Sequence, residues 1–265
     1  MTYQNKTVWI TGASSGIGEA LAYEFAKQGA TLLLSARSVD KLEQVKQACL
    51  EHTATVAVVP LDLSKYEQLS TVVKPVLEQF PKIDLLINNG GISQRSLAKD
   101  TDISVDERLM VVNYLGTVAM TKAILPNMLM HGIGHIATVT SMVGKFGTPM
   151  RSSYAASKHA LHGFMDSLRA ELADTDIAIT LICPGFIHTR ISYNALTGDG
   201  SPQNSLDKAQ AGGMSAEIFA KKAINALENK VREVHIGGTK EVAAGYVKRF
   251  FPGLFARIIS KAAVT

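Results

Sequence analysis

Short runs that are apolar at nearly every position alternate along this chain with longer stretches whose apolar residues recur every three to four. The runs are rich in β-branched residues and cover 7–11, 31–35, 55–60, 83–88, 134–140, 177–183 and 233–236. The helix-period stretches between them fill 16–28, 40–51, 66–79, 105–130, 153–174 and 216–229. Strands without a polar face need cover on both sides. The pattern therefore predicts a single doubly wound α/β domain, a seven-stranded parallel sheet with helices on both faces.

Two stretches break this rhythm. Residues 192–213 are rich in Gly, Ser, Asn and Asp, and a loop this long inside a compact domain is more often functional than idle, so a substrate-side lid is expected there. From Lys240 to Ile259 aromatic and aliphatic residues alternate with Lys and Arg, which sets 239–265 apart from 1–238 as an amphipathic C-terminal extension. Such a segment suits peripheral contact with a membrane surface. Packing over a substrate site or a subunit interface is the preferred reading, because apolar surface usually has a protein partner.

Composition changes the picture little. With 265 residues, 46% hydrophobic and 19% charged, the chain can bury a sizeable core and is not disordered. The net charge of +4 comes without a basic run interleaved with aromatics before the tail, against a nucleic-acid partner. Cys49 and Cys183 lie among apolar neighbours with no metal-ligand spacing, so buried thiols are expected, and no metal. The first residues carry no apolar signal region, and no run of 18 apolar residues occurs, so a cytoplasmic location is expected. Asn5-Lys6-Thr7 is then a chance match to a glycosylation acceptor.

Candidate chemistry begins at Thr11-Gly12-Ala13-Ser14-Ser15-Gly16-Ile17-Gly18, between the first strand and the first helix. There glycines let the backbone turn tightly against a pyrophosphate, and the helix N-terminus offers unpaired N–H groups. Ser14 and Ser15 could cap the helix or bind phosphate. Gly12-Ala13-Ser14-Ser15-Gly16 also matches a hydrolase nucleophile elbow, but that fold needs strands and an oxyanion loop upstream, and only eleven residues precede Gly12. About 20 residues on, an acid would suit NAD and an arginine the 2′-phosphate of NADP. The second strand ends Ser35-Ala36-Arg37-Ser38 with no acid, so Arg37 argues for NADP(H) over a merely solvated side chain. Asp62, with Leu63 beside it, could accept from an adenine amino group or could simply cap a turn.

Tyr154 and Lys158 lie four apart on a predicted helix and share a face, where an ammonium would draw a phenol toward neutrality. The spacing alone proves little, since Tyr23 and Lys27 repeat it on the first helix. Position distinguishes the second pair. Ser141 lies thirteen residues earlier, just past the fifth strand, at the sheet end where ligands sit. Asn113 falls inside a predicted helix, where it could kink the backbone or bond to it locally.

Taken with Asn88-Asn89-Gly90-Gly91 and Pro184-Gly185, these motifs resemble the short-chain dehydrogenase/reductase family across nearly the whole chain. The stretch from Ile87 to Ser96 is similar to the dehydrogenase/reductase member 7-like branch, neighbour to the 11-beta-hydroxysteroid dehydrogenases. The resemblance implies Tyr154 as general acid/base, Ser141 orienting the substrate oxygen, Lys158 binding the nicotinamide ribose and Asn113 holding a relay water. It also implies Asn89 near the cofactor, Ile187 and Thr189 near the nicotinamide amide, and a homodimer or homotetramer. One departure appears: Gly90 stands where the family usually has alanine. The implied reaction exchanges a hydride between NADP(H) and a small-molecule carbonyl or alcohol. Val143, Phe146, Met150 and Phe186 point to a lipophilic one. An NAD-linked alcohol dehydrogenase with the same groups, or a non-catalytic NADPH-sensing protein, are the alternatives.

Overall fold

The structure, a computed structural model, describes residues 2–261. In it β1 (Thr7–Thr11) leads into α1 (Gly16–Lys27), and β2 (Thr31–Ser35) into α2 (Val39–Leu50). β3 (Val56–Val58) passes through a 3-10 segment, Leu63–Gln68, into α3 (Leu69–Gln79). β4 (Leu85–Asn88) precedes α4 (Ile103–Met110), a π-turn at Val111–Leu115, and α5 (Gly116–Met130). β5 (Ile133–Val139), α6 (Ser152–Glu171) and β6 (Asp176–Pro184) follow. A small pair, β7 (Ile187–His188) and β8 (Met214–Ser215), brackets α7 (Lys208–Ala211) before α8 (Ala216–Glu228) and β9 (Glu233–Ile236). The extension after Gly238 folds as α9 (Thr239–Phe250) and α10 (Pro252–Ile259).

The seven predicted strands form one parallel sheet in the order β3-β2-β1-β4-β5-β6-β9. Alternate residues of each strand feed opposite faces. Val8, Ile10, Leu32, Leu34, Leu85 and Ile87 join one buried cluster with Leu21 and Phe25 of α1, Leu42 of α2 and Phe219 of α8. Trp9, Leu33 and Leu86 join the other, with Val73 of α3, Ile124 and Met128 of α5 and Met165 of α6. That two-sided burial is why the strands read as continuous apolar runs.

The order of strands reverses between β1 and β4, which pair with each other while their connections wind to opposite sides. This leaves a crevice at the carboxyl ends, and both the glycine turn and Asn89 begin there.

The predicted helix 105–130 is interrupted. At Val111–Leu115 the N–H of Gly116 reaches back to the carbonyl of Val111, a π-turn centred on Asn113. The whole of Ile103–Met130 is long and apolar enough by length and composition to cross a membrane. Here its Leu109, Met120, Ile124 and Met128 are buried against the rest of the domain.

Candidate active site

The carboxyl ends of the strands open into a cleft of about 1410 Å³. Its floor at one end is the glycine turn. Gly12 and Gly16 have φ of +66° and +62°, which disfavour any residue with a Cβ. A Cβ on Gly12 would stand 2.7 Å from the Cα of Gly90. Asn89 braces the turn, its Nδ2 donating to the carbonyls of Thr11 at 3.0 Å and Gly12 at 3.1 Å. Gly18 sits behind the wall, where a Cβ would meet that same Nδ2 at 2.5 Å. Ser14, Ser15, Gly16 and Ile17 line the cleft, and Ser15 is the N-cap of α1 without a side-chain capping bond. Its hydroxyl and the first N–H groups of the helix are therefore available to an anion. No histidine lines the cleft among the described residues, so the hydrolase reading of Ser14 lacks a base.

Gly90 needs no methyl because Leu63 supplies its bulk: a Cβ there would lie 2.6 Å from Leu63 Cδ1. Asp62 lines the cleft beside Arg37 and also caps the 3-10 segment, accepting from Ser64 N at 2.9 Å and Ser64 Oγ at 2.8 Å. Burial pushes its carboxyl up, but the Ser64 bonds and the charges of Arg37 and Lys65 outweigh that and hold it below its ordinary value. Arg37 is joined in the wall by Ser38 and by Lys41 in the first turn of α2, to which sequence reasoning gave no role. Thr189 arches over the turn, within 3.1 Å of where a Gly16 Cβ would stand, and Gln210 donates to the carbonyl of neighbouring Ile187.

The reacting end lies where β5 stops. Ser141 caps a 3-10 turn, accepting from Val143 N at 3.3 Å, and is hydrogen-bonded to the Tyr154 phenol. Burial pushes that phenol up. The Ser141 bond and the guanidinium charges of Arg151 and Arg95 pull it back only in part, so it stays above its ordinary value. Lys158, one turn along α6, places Nζ 5.9 Å from the Tyr154 ring centroid and donates to the carbonyl of Val139 at 3.0 Å. Burial lowers its pKa to about 8. Its ammonium thus lies over the Tyr154 ring and bonds a backbone carbonyl, and the charges that lower the phenol are those of Arg151 and Arg95. The other Tyr-x3-Lys pair is surface chemistry: Tyr23 donates to Glu19 at 2.8 Å, and Lys27 to Glu24 at 2.6 Å.

Asn113 stands behind the wall. Its Oδ1 accepts from Ile92 N at 2.8 Å, and both its amide hydrogens are used, on Ile92 O and Ser157 Oγ, each at 3.0 Å. The carboxamide clamps the loop after β4, joining it to Ser157 of α6.

What the sequence did not reveal is a buried ion cluster. Arg95 meets Asp207 Oδ2 through Nε and Nη2, both at 2.7 Å, and Arg151 Nη2 approaches the same oxygen at 3.4 Å. Gln203 donates to Asp207 Oδ1 at 2.9 Å. Both arginines line the cleft, and Arg95 and Asp207 are 112 residues apart, beyond any local signal. The cluster ties 192–213 to the loop after β4, reinforced by Arg95 N donating to Leu196 O at 2.8 Å and Leu196 N to Ser93 O at 2.9 Å. These bonds join the stretch expected as a lid to the loop after β4.

Val143, Phe146 and Phe186 line the apolar end of the cleft, with Leu196 and, from the C-terminal extension, Phe255 of α10. Met150 does not line it. Away from the cleft wall, His162, Cys183 and Glu233 bring one ligand atom each within 4.8 Å. Lys145 donates to the Glu233 carboxylate at 2.5 Å, and burial pushes the Cys183 thiol up to about 12.

A family model described as short chain dehydrogenase matches residues 6–199. A dehydrogenase/reductase SDR family protein 7-like from Anopheles gambiae is 45% identical over 263 residues, 97% of this chain and 83% of that one. An alcohol dehydrogenase from the archaeon Thermococcus sibiricus, solved with 5-hydroxy-NADP, superimposes with a TM-score of 0.76 at 28% identity, covering 89% of this chain and 97% of its own. A short chain dehydrogenase/reductase from Burkholderia phymatum, solved with NAD, gives a TM-score of 0.85 at 23% identity, with 96% of both chains covered.

Proposed function

This chain belongs to the short-chain dehydrogenase/reductase family of oxidoreductases, and from that premise we propose that it interconverts a carbonyl and an alcohol on a lipophilic small molecule with NADP(H). The observation that carries this reading is the Ser141–Tyr154 hydrogen bond at the apolar end of a cleft whose other end is a phosphate-binding glycine turn.

The residues present fit a dinucleotide. Side-chain-free glycines at positive φ and an open helix N-terminus suit the pyrophosphate. Arg37, Ser38 and Lys41 suit a 2′-phosphate, which a carboxylate in their place would repel. Asn89, Ile187 and Thr189 shape the wall between them. When bound, the reduced nicotinamide supplies the hydride. Tyr154 then donates its proton to the carbonyl oxygen, and Ser141 donates a hydrogen bond to the same oxygen as negative charge develops. Lys158 is placed to hold the ribose. The charges of Arg151 and Arg95, in the buried cluster with Asp207, pull the phenol toward its charged form.

Two results test the assignment. Arg37→Asp is expected to raise the KM for NADPH by roughly 10–100-fold, the loss of a charge-assisted bond and the gain of a repulsion, while improving use of NADH. Unchanged coenzyme preference in steady-state kinetics rejects Arg37 as the phosphate contact. Leu196→Ala is expected to raise the KM for an apolar ketone by about tenfold, since an apolar side chain in such a pocket contributes about 1–3 kcal/mol. An unchanged KM removes the 192–213 wall from substrate binding.

A further inference from the structure

The C-terminal helices do two things at once. On their inner side Val247, Phe255 and Ile259 pack into the cluster that also holds Phe146 and Tyr154. On their outer side Tyr246, Phe250, Phe251, Leu254 and Ile258 are more than half exposed. Five of the fourteen exposed large hydrophobics among the described residues thus fall within thirteen positions. Lys240, Lys248, Arg249, Arg257 and Lys261 share the segment. Its one acid, Glu241, accepts from Gly238 N at the start of α9.

Aromatic and aliphatic side chains flanked by cations of one sign match an interface in which hydrocarbon lies beneath anionic headgroups. A second copy of the chain matches poorly. Across a two-fold axis, self-contact of this patch would bring two segments with five cations each against one another. We infer that the outer face of α9 and α10 docks on an anionic lipid bilayer, with the mouth of the substrate cleft turned toward the lipid. Ile258 marks that mouth, being half-exposed and part of the cleft wall. The route it implies, an apolar substrate passing from the bilayer past α10, rests on the carbonyl–alcohol reading. The docking itself does not.

Flotation of the full chain, without coenzyme or substrate, on phosphatidylcholine vesicles with and without phosphatidylserine tests the docking alone. The protein is expected to float with the anionic vesicles, to be released by added salt, and to stay behind with the neutral ones. Phe250→Ser with Phe251→Ser should weaken partitioning by roughly tenfold or more, as two buried phenyl groups are lost. Lys248→Glu with Arg249→Glu should weaken it comparably. None of these four residues lines the cleft, so turnover of a water-soluble ketone and the Tm should not move. Absence of flotation, or equal flotation of both variants, overturns the proposal. A dimer in sedimentation that the phenylalanine variant dissociates overturns it too, in favour of a second copy.

Discussion

Tyr154→Phe is expected to lower kcat by roughly 10²–10⁴-fold, the usual contribution of a positioned general acid, or about 3–5.5 kcal/mol of barrier. The fold should not notice. Tyr154 is buried among Met142, Val143 and Phe146, and phenylalanine keeps the ring that packs there. What disappears is the hydroxyl on Ser141 and the proton it carries. Coenzyme affinity should be unchanged, and Trp9 can report it. Its Nε1 donates to Ser35 Oγ at 2.8 Å, and the next two residues, Ala36 and Arg37, line the cleft. Retained turnover in a variant that still quenches Trp9 would mean another acid delivers the proton.

The pH dependence follows from the direction of the shift. Burial holds the Tyr154 phenol above its ordinary value, so at neutral pH it is protonated and ready to donate. Reduction of a ketone should therefore be flat through neutrality. Oxidation of an alcohol needs the phenolate and should accelerate as pH rises.

Most of the frame was legible in the chain because each level of it is local. Period-two burial on both faces makes strands such as Thr7–Thr11 continuous apolar runs, and the glycine turn follows from backbone conformations that only its spacing allows. That Ser141 follows the fifth strand and that Tyr154 and Lys158 share a helix was legible for the same reason. Asn113 shows where this stops. Its residue type marks an oddity in the helix, but its partners Ile92 and Ser157 are 21 and 44 residues away. The Arg95–Asp207–Arg151 cluster is the extreme case. A long loop read as polar and irregular carries a carboxylate that meets two guanidinia, and no pattern of period two or 3.6 can announce it.

That carboxylate gives the second large effect. Asp207→Asn keeps the shape and takes from the buried Arg95 guanidinium the carboxylate it meets at 2.7 Å, a change that typically costs about 3–5 kcal/mol. In a chain of this size that is a fall in Tm of roughly 6–20 °C. The sign with pH is fixed by the native state. Burial raises the Asp207 carboxyl, but bonds from Arg95 and Gln203 and the charges of Arg95 and Arg151 leave it below its ordinary value. Its contribution is therefore complete above the unfolded pKa and drains away as pH falls through the folded one. Wild type and variant should converge in Tm at low pH. The same substitution removes a negative charge close to Arg95 and Arg151, whose charges act on Tyr154, and so should move the oxidation profile toward lower pH. A merely structural aspartate would lower Tm without touching that profile. Burial already draws Arg151 down to about 10, with the charge of Arg95 adding to it, so the pocket is already crowded with cations. If Asp207→Asn costs stability and leaves the profile where it was, the cluster anchors the wall and nothing more. If both move, the residue that ties 192–213 in place also sets how readily the phenol gives up its proton.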